Sequence, residues 1–175
     1  MHWFALRVSY SRIFHAHDVL TENGIETYMP TRTEYKEVDG KRRKMRKPLI
    51  TNIIFAHSTK EDIDKVIEKT GKEYFNYYYD KTEKNEFGND TILIVPDKQM
   101  ENFIELTSMG DRNFKIAQNH ILLKLGDKVR VINGKFKGIE GNVVRYANQQ
   151  RVAVVLPHLC VAVTTYVPTI DLEKI

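Results

Sequence analysis

Hydrophobic positions in the first 110 residues switch between two periods. The stretch "WFALRVSY" is apolar, β-prone and short, which predicts a strand. Behind it, Ile13, Phe14, Ala16 and Leu20 fall at helical spacing, with Ser11 placed to cap the helix and Asn23-Gly24 to stop it. "IETYMP" predicts a second strand closed by Pro30, and "LITNIIFAH" a buried third one. Between these two, "TRTEYKEVDGKRRKMRK" has no sustained apolar period and contains Asp39-Gly40, a turn signal, so it reads as a hairpin or a mobile loop. Thr59 and Asp62 form a capping box with Asp in place of Glu, and Ile63, Val66 and Ile67 carry a second helix as far as Gly71. "YFNYYYD" would be a strand with aromatics on both faces. "TILIVP" predicts a further strand, and Asp97 opens a helix with Met100, Phe103, Ile104 and Thr107 on one face before Gly110.

Read in order and leaving "YFNYYYD" aside, these elements run β, α, β, β, α, β, with an added helix. That is the split β-α-β, ferredoxin-like arrangement, one antiparallel sheet with helices on one face. After Gly110 the helical signals stop. "GDRNFKIAQN" has no period, and then "KVRVI", "GNVVRY", "RVAVVL" and "VAVTTYV" arrive as short alternating strands, the signature of a small antiparallel barrel or sandwich. The expected division is a first domain over 1–111, a linker over 112–121 and a second domain over 122–175, an α+β chain overall.

Composition adds limits. At 175 residues and 42% hydrophobic, the chain can bury the core of one medium domain or two small ones. The lone cysteine, Cys160, excludes an internal disulfide framework and a cysteine-rich zinc site. The start "MHWFALRVSY" lacks the layout of a signal peptide, and no apolar run approaches the roughly 18 residues of a membrane span. A cytoplasmic protein with no membrane partner is the expectation.

The formal charge of +4 is unevenly spread. Residues 1–118 hold 19 basic and 19 acidic residues, whereas 119–175 hold 8 and 4. Within the balanced part, Arg32 to Lys47 has 8 basic against 3 acidic residues, and Glu61 to Asp111 has 6 against 13. A basic block of this kind is a solvated surface or a contact for nucleic acid. The candidates in the basic run are Lys41, Arg42, Arg43, Lys44, Arg46 and Lys47. A second candidate lies in "VRVINGKFKGIEGNVV", where Gly134, Gly138 and Gly141 suit the corners of a small barrel and the loop carries Lys135, Phe136 and Lys137, a basic pair around an exposed aromatic that can touch phosphate and stack on a base.

Catalytic chemistry finds no footing. Among His2, His15, His17, His57, His120 and His158 only His15 and His17 are close, and at i, i+2 they do not share a helix face. No phosphate-binding glycine loop, Ser-His-Asp set or Cys-His pair can be argued, and Glu61 to Asp64 read as first-turn acids favouring the helix dipole. No cofactor, no metal and no enzyme activity are expected.

"LGDKVRVINGKFKGIEGNVV" followed by "RVAVVL" resembles a KOW motif, and "WFALRV", "GIETYMP" and "KPLITNIIFAH" resemble strands of the NusG N-terminal domain. The two in this order, with a linker between them, cover nearly the whole chain. "IVPDKQMENFIEL" looks most like the specialised NusG paralogues of polysaccharide operons in Bacteroides-type bacteria, the UpxY antiterminators. The resemblance implies a ferredoxin-like NusG N-terminal domain followed by an SH3-like KOW barrel, in a monomeric, non-enzymatic transcription elongation or antitermination factor. It implies that the first domain binds the clamp helices of the RNA polymerase β′ subunit through an apolar surface including Trp3, Tyr28, Ile53, Phe55 and Tyr78. It also places the basic loop near upstream or non-template DNA or nascent RNA, and gives the KOW domain a partner such as the ribosome or another factor. A contact with the polymerase β subunit rests on a His-Thr-type stretch of which this sequence has no clear form. The alternative is a ribosomal-type KOW protein that binds structured RNA, although "NIIFAH" lacks the aromatic-glycine signature of RNA-recognition strands.

Overall fold

The computed structural model describes residues 1–9, 12–72, 74–110, 112–117 and 124–175. They fall into two compact units, Met1–Pro96 and Asp97–Ile175. The first is organised about β1 (His2–Val8), whose alternating positions face two ways. Antiparallel to it runs β5 (Ile53–Ser58), with Ala5 opposite Phe55, and β2 (Glu26–Tyr28) lies outside β5. On the other side of β1 two short strands, β6 (Phe75–Tyr77) and β9 (Ile94–Val95), share one place in the sheet. The order β2-β5-β1-β6 is the expected split β-α-β sheet.

One face of that sheet takes both helices. Phe4, Leu6, Val8, Ile54 and Ala56 pack with Ile13, Ala16 and Leu20 of α1 (Ile13–Glu22) and with Ile63, Val66 and Ile67 of α2 (Lys60–Thr70). Tyr10 and Ser11, the expected strand end and cap, lie outside the described residues. For α2 the cap holds: Thr59 Oγ1 accepts from Asp62 N–H at 3.2 Å, and Asp62 accepts from the Thr59 hydroxyl at 2.8 Å. The shorter Asp takes the hydroxyl, where a capping-box Glu reaches the backbone N–H.

Two expectations change in this unit. The basic stretch is a hairpin, β3 (Thr31–Val38) with β4 (Lys41–Pro48), paired over eight positions as a sheet of its own. The "YFNYYYD" and "TILIVP" segments each divide. The first gives β6 and then β7 (Tyr79–Lys84), and the second gives β8 (Asp90–Ile92) and then β9, so that β7 and β8 form a separate hairpin. The division falls where Leu93 donates its backbone N–H to Tyr78 O, returning the chain to the main sheet.

In the second unit α3 (Asp97–Ser108) lies against β12 (Glu140–Tyr146), β13 (Gln149–Leu156) and β14 (Cys160–Thr164). Buried Asn102 is the polar clasp: its side-chain oxygen accepts from Glu140 N–H at 3.0 Å and its amide donates to Lys98 O at 2.8 Å. By packing, then, α3 belongs with the later strands, although its sequence position suggested the first domain. Nor is the expected linker featureless. Phe114–Ala117 is β10, an edge strand antiparallel to β14; residues 118–121 lie outside the described residues. With β11 (Lys128–Val131) and β15 (Leu172–Lys174) the order is β10-β14-β13-β12-β11-β15. The two ends do not pair, so the sheet is open among the described residues, where a closed barrel was expected.

Candidate functional site

Strand alternation decides which of the expected polymerase-facing residues meet. Side chains at i and i+2 share a face, so Trp3, Tyr28, Ile53 and Phe55 lie on the sheet face opposite α1 and α2. The register places Tyr28 opposite Phe55, and Trp3 opposite both His57 and Val95. Tyr78 follows β6 and donates its backbone N–H to Ala5 O at 2.8 Å. Four of the five side chains therefore share a face, and that face is not exposed as expected. Trp3, Ile53 and Phe55 are buried, Phe55 completely, while Tyr28 and Tyr78 are half-buried. Phe55 sits at the middle of the central strand pair, where removing an aromatic from water is worth about 1.5–3 kcal/mol. At the rim, the His57 ring stacks on Trp3 with centroids 4.9 Å apart and its Nδ1 lies 2.9 Å from a Glu26 carboxylate oxygen.

The basic hairpin projects its charges on two faces. Asp39 (φ 53) and Gly40 (φ 69) make the two-residue turn with both φ positive, the form that matches the twist of the paired strands. Counting outward from it, Val38 faces Lys41, Lys36 faces Arg43, Glu34 faces Met45 and Arg32 faces Lys47 on one side. On the other side Glu37 faces Arg42, Tyr35 faces Lys44 and Thr33 faces Arg46. Glu34 bridges Arg32 and Lys47, each at 2.5 Å. The hydrogen bond from Lys47 holds the Glu34 carboxyl below its ordinary value, partial desolvation opposes this, and Arg32 adds to the lowering. Arg42 stacks over the Tyr35 ring at 4.5 Å, and Arg46 donates to Thr31 Oγ1 at 3.3 Å. Tyr35 and Lys36 were not singled out in the sequence, yet pairing outward from Asp39-Gly40 gives both their cross-strand partners.

The glycine-rich loop between β11 and β12 departs from expectation at its aromatic. Phe136 is buried, so it stacks on no base: the chain closes tightly around it, with Gly138 N–H donating to Val131 O and Ile139 N–H to Phe136 O. Lys135 and Lys137 remain exposed, and Lys135 donates to Asn113 Oδ1 at 2.8 Å. Gly141 permits a close approach, because a Cβ there would stand 2.3 Å from Ala153 O.

No cluster of three or more His, Cys, Asp or Glu side chains suited to a metal occurs among the described residues. Burial pushes the Cys160 thiol up to about 12, which removes it as a nucleophile. No helix among the described residues is long and apolar enough to cross a membrane.

Residues 1–104 match the family described as transcription termination factor NusG. The chain belongs to the NusG family. The NusG match begins at β1 and runs into α3, taking in the whole sheet with its buried aromatic face and the basic hairpin. Membership makes this a transcription elongation or termination factor, of a non-enzymatic class of proteins that bind RNA polymerase. No curated protein matches the chain.

Proposed function

We propose that the protein is a NusG-type antitermination factor, cytoplasmic and monomeric, that acts without a cofactor on one long operon such as a polysaccharide locus. Its first unit binds the β′ clamp helices of RNA polymerase through the half-buried Tyr28 and Tyr78, with Trp3, Ile53 and Phe55 as the buried layer that holds this surface in shape, and so suppresses pausing and termination. The observation that carries this reading is the coincidence of the family match with a single sheet face on which four of those five side chains converge. A coiled-coil tip offers apolar knobs and charge; the half-buried Tyr28 and Tyr78 suit the first, and the Glu26–His57 pair at the rim suits the second. The basic hairpin lies beside nucleic acid and contacts its phosphates; Lys135 and Lys137 of the second unit are a separate candidate contact. That unit acts as a KOW module whose partner is RNA, the ribosome or another factor.

Co-purification with core RNA polymerase tests the assignment. Tyr28→Ala, at a half-buried rim position, is expected to weaken capture at least tenfold with little change in melting temperature. Phe55→Ala is expected to weaken both capture and stability. Wild-type affinity in the Tyr28 variant, or no capture of the wild type, removes the basis of the clamp assignment. On a template with an intrinsic terminator, added protein is expected to raise read-through; unchanged read-through contradicts antitermination.

A further inference from the structure

The geometry points to a phosphate site on the tip half of one face of the β3–β4 hairpin, built from Lys36, Lys41 and Arg43 and fitted to the phosphodiester backbone of a nucleic acid. It rests on the reading that the hairpin lies beside nucleic acid, and it says which cations do the binding. Of the eight between Arg32 and Lys47, four already have partners within the chain. Arg32 and Lys47 meet Glu34, Arg42 covers Tyr35, and Arg46 reaches Thr31 Oγ1 and lies over the Phe14 ring at 5.9 Å. Lys36, Lys41, Arg43 and Lys44 form no hydrogen bond or ion pair among the described residues.

Three of those four share a face. Lys36 stands directly opposite Arg43, with Lys41 the next cation toward the turn, so the three lie about 5 to 8 Å apart at the backbone. Like charges directly opposite one another destabilise a strand pair. At the base of the same face, Arg32 opposite Lys47 poses the same conflict, and Glu34 resolves it there. Among the described residues no carboxylate does so at Lys36 and Arg43. The fitting anion therefore comes from outside, and Arg43 can take two of its oxygens at once. All three side chains are exposed, so a small anion would compete with water on equal terms. A polyanion has the added drive of counterion release at each phosphate. That favours a nucleic acid strand running along the hairpin.

Anisotropy of fluorescein-labelled 20-mers, as duplex DNA, single-stranded DNA and RNA, across a salt series reads the site directly. For K36Q/R43Q the slope of log affinity against log salt is expected to fall by about 1.8 on duplex or about 1.4 on single strands. The control R42Q/R46Q removes the same charge from the opposite face and is expected to change the slope by less than half as much. Equal losses for the two pairs, or no loss for K36Q/R43Q, overturn the site. Melting separates binding from folding. Removing an unrelieved like-charge pair should leave the melting temperature of K36Q/R43Q equal to or above that of wild type, and a lower one assigns these residues to the hairpin's own stability and overturns the proposal. Polyglutamate competing as well as an oligonucleotide of equal charge overturns the nucleic-acid assignment. Capture by core polymerase keeps the two readings apart: wild type that is captured but binds no 20-mer at 50 mM salt sinks the phosphate site alone, whereas wild type that binds 20-mers but is not captured sinks the polymerase reading alone.

Discussion

Gly141 and Ala147 show how much a single Cβ can decide. At Gly141 a methyl group would lie 2.3 Å from Ala153 O and 2.9 Å from a Val152 methyl, against backbone that cannot turn aside. Gly141→Ala is expected to cost about 1–3 kcal/mol or more by overpacking, read as a lower midpoint in denaturant; an unchanged midpoint would show that β12 and β13 can separate freely. Gly134 has no neighbour within 4 Å of such a Cβ, so there the cost is limited to its positive φ. Ala147 presents the converse. With Asn148 it forms the two-residue turn between β12 and β13, at φ 50 and 57, a conformation in which alanine has no compensating interaction. Ala147→Asn is expected to stabilise the protein by about 0.5–1 kcal/mol, since Asn tolerates this region; a lower melting temperature would contradict the strain. The need for glycine at 141 was legible in its place within an alternating strand, but "RYANQQ" carries no turn signal of the Asn-Gly kind. Phe55 and Phe136 mark the same limit. Alternation states which residues share a face, whereas whether that face is covered depends on contacts far away in sequence.

Elements whose period and punctuation agree were legible from end to end: α2 between Thr59 and Gly71, β5 in "NIIF", and the turn at Asp39-Gly40. Those settled by long-range packing were not. "TILIVP" has the composition of one strand, yet Leu93 binds Tyr78 and splits it between two sheets. The periodic face of α3 predicts a helix but not the strands it covers. The β3–β4 hairpin joins both cases, because its register follows from the turn while its persistence without a core depends on side chains. A two-stranded sheet alone is marginal in water, and here Glu34 offsets the repulsion between Arg32 and Lys47. Since Lys47 first, and Arg32 with it, hold the folded Glu34 pKa below the unfolded value near 4.5, its contribution is fully present above pH 4.5 and is lost as pH falls through the depressed value. NMR titration of the Glu34 carboxyl is expected to give a midpoint below 4.5 in wild type and a higher one in Lys47→Gln. A wild-type midpoint at or above 4.5 would mean that the bridge does not persist in solution.

For the chain as a whole, a net charge of +4 conceals two opposed blocks, 8 basic against 3 acidic over Arg32 to Lys47 and 6 against 13 over Glu61 to Asp111. Such a chain is poorly described by its total, because a nucleic acid would be attracted by the first block and repelled by the second. Salt should therefore separate its two modes of binding. Attraction to phosphate weakens with every counterion it would release, whereas an apolar sheet face seated on a protein depends on buried area and far less on ionic strength. If three cations of the hairpin each neutralise one phosphate of duplex DNA, the slope near −0.9 per contact predicts that raising salt from 50 to 200 mM weakens oligonucleotide binding about 40-fold. Capture by core RNA polymerase without nucleic acid is expected to change by less than about threefold over the same range, and K36Q/R43Q to leave it unaltered. Parallel loss of both would place the charged hairpin, not the aromatic face, at the polymerase.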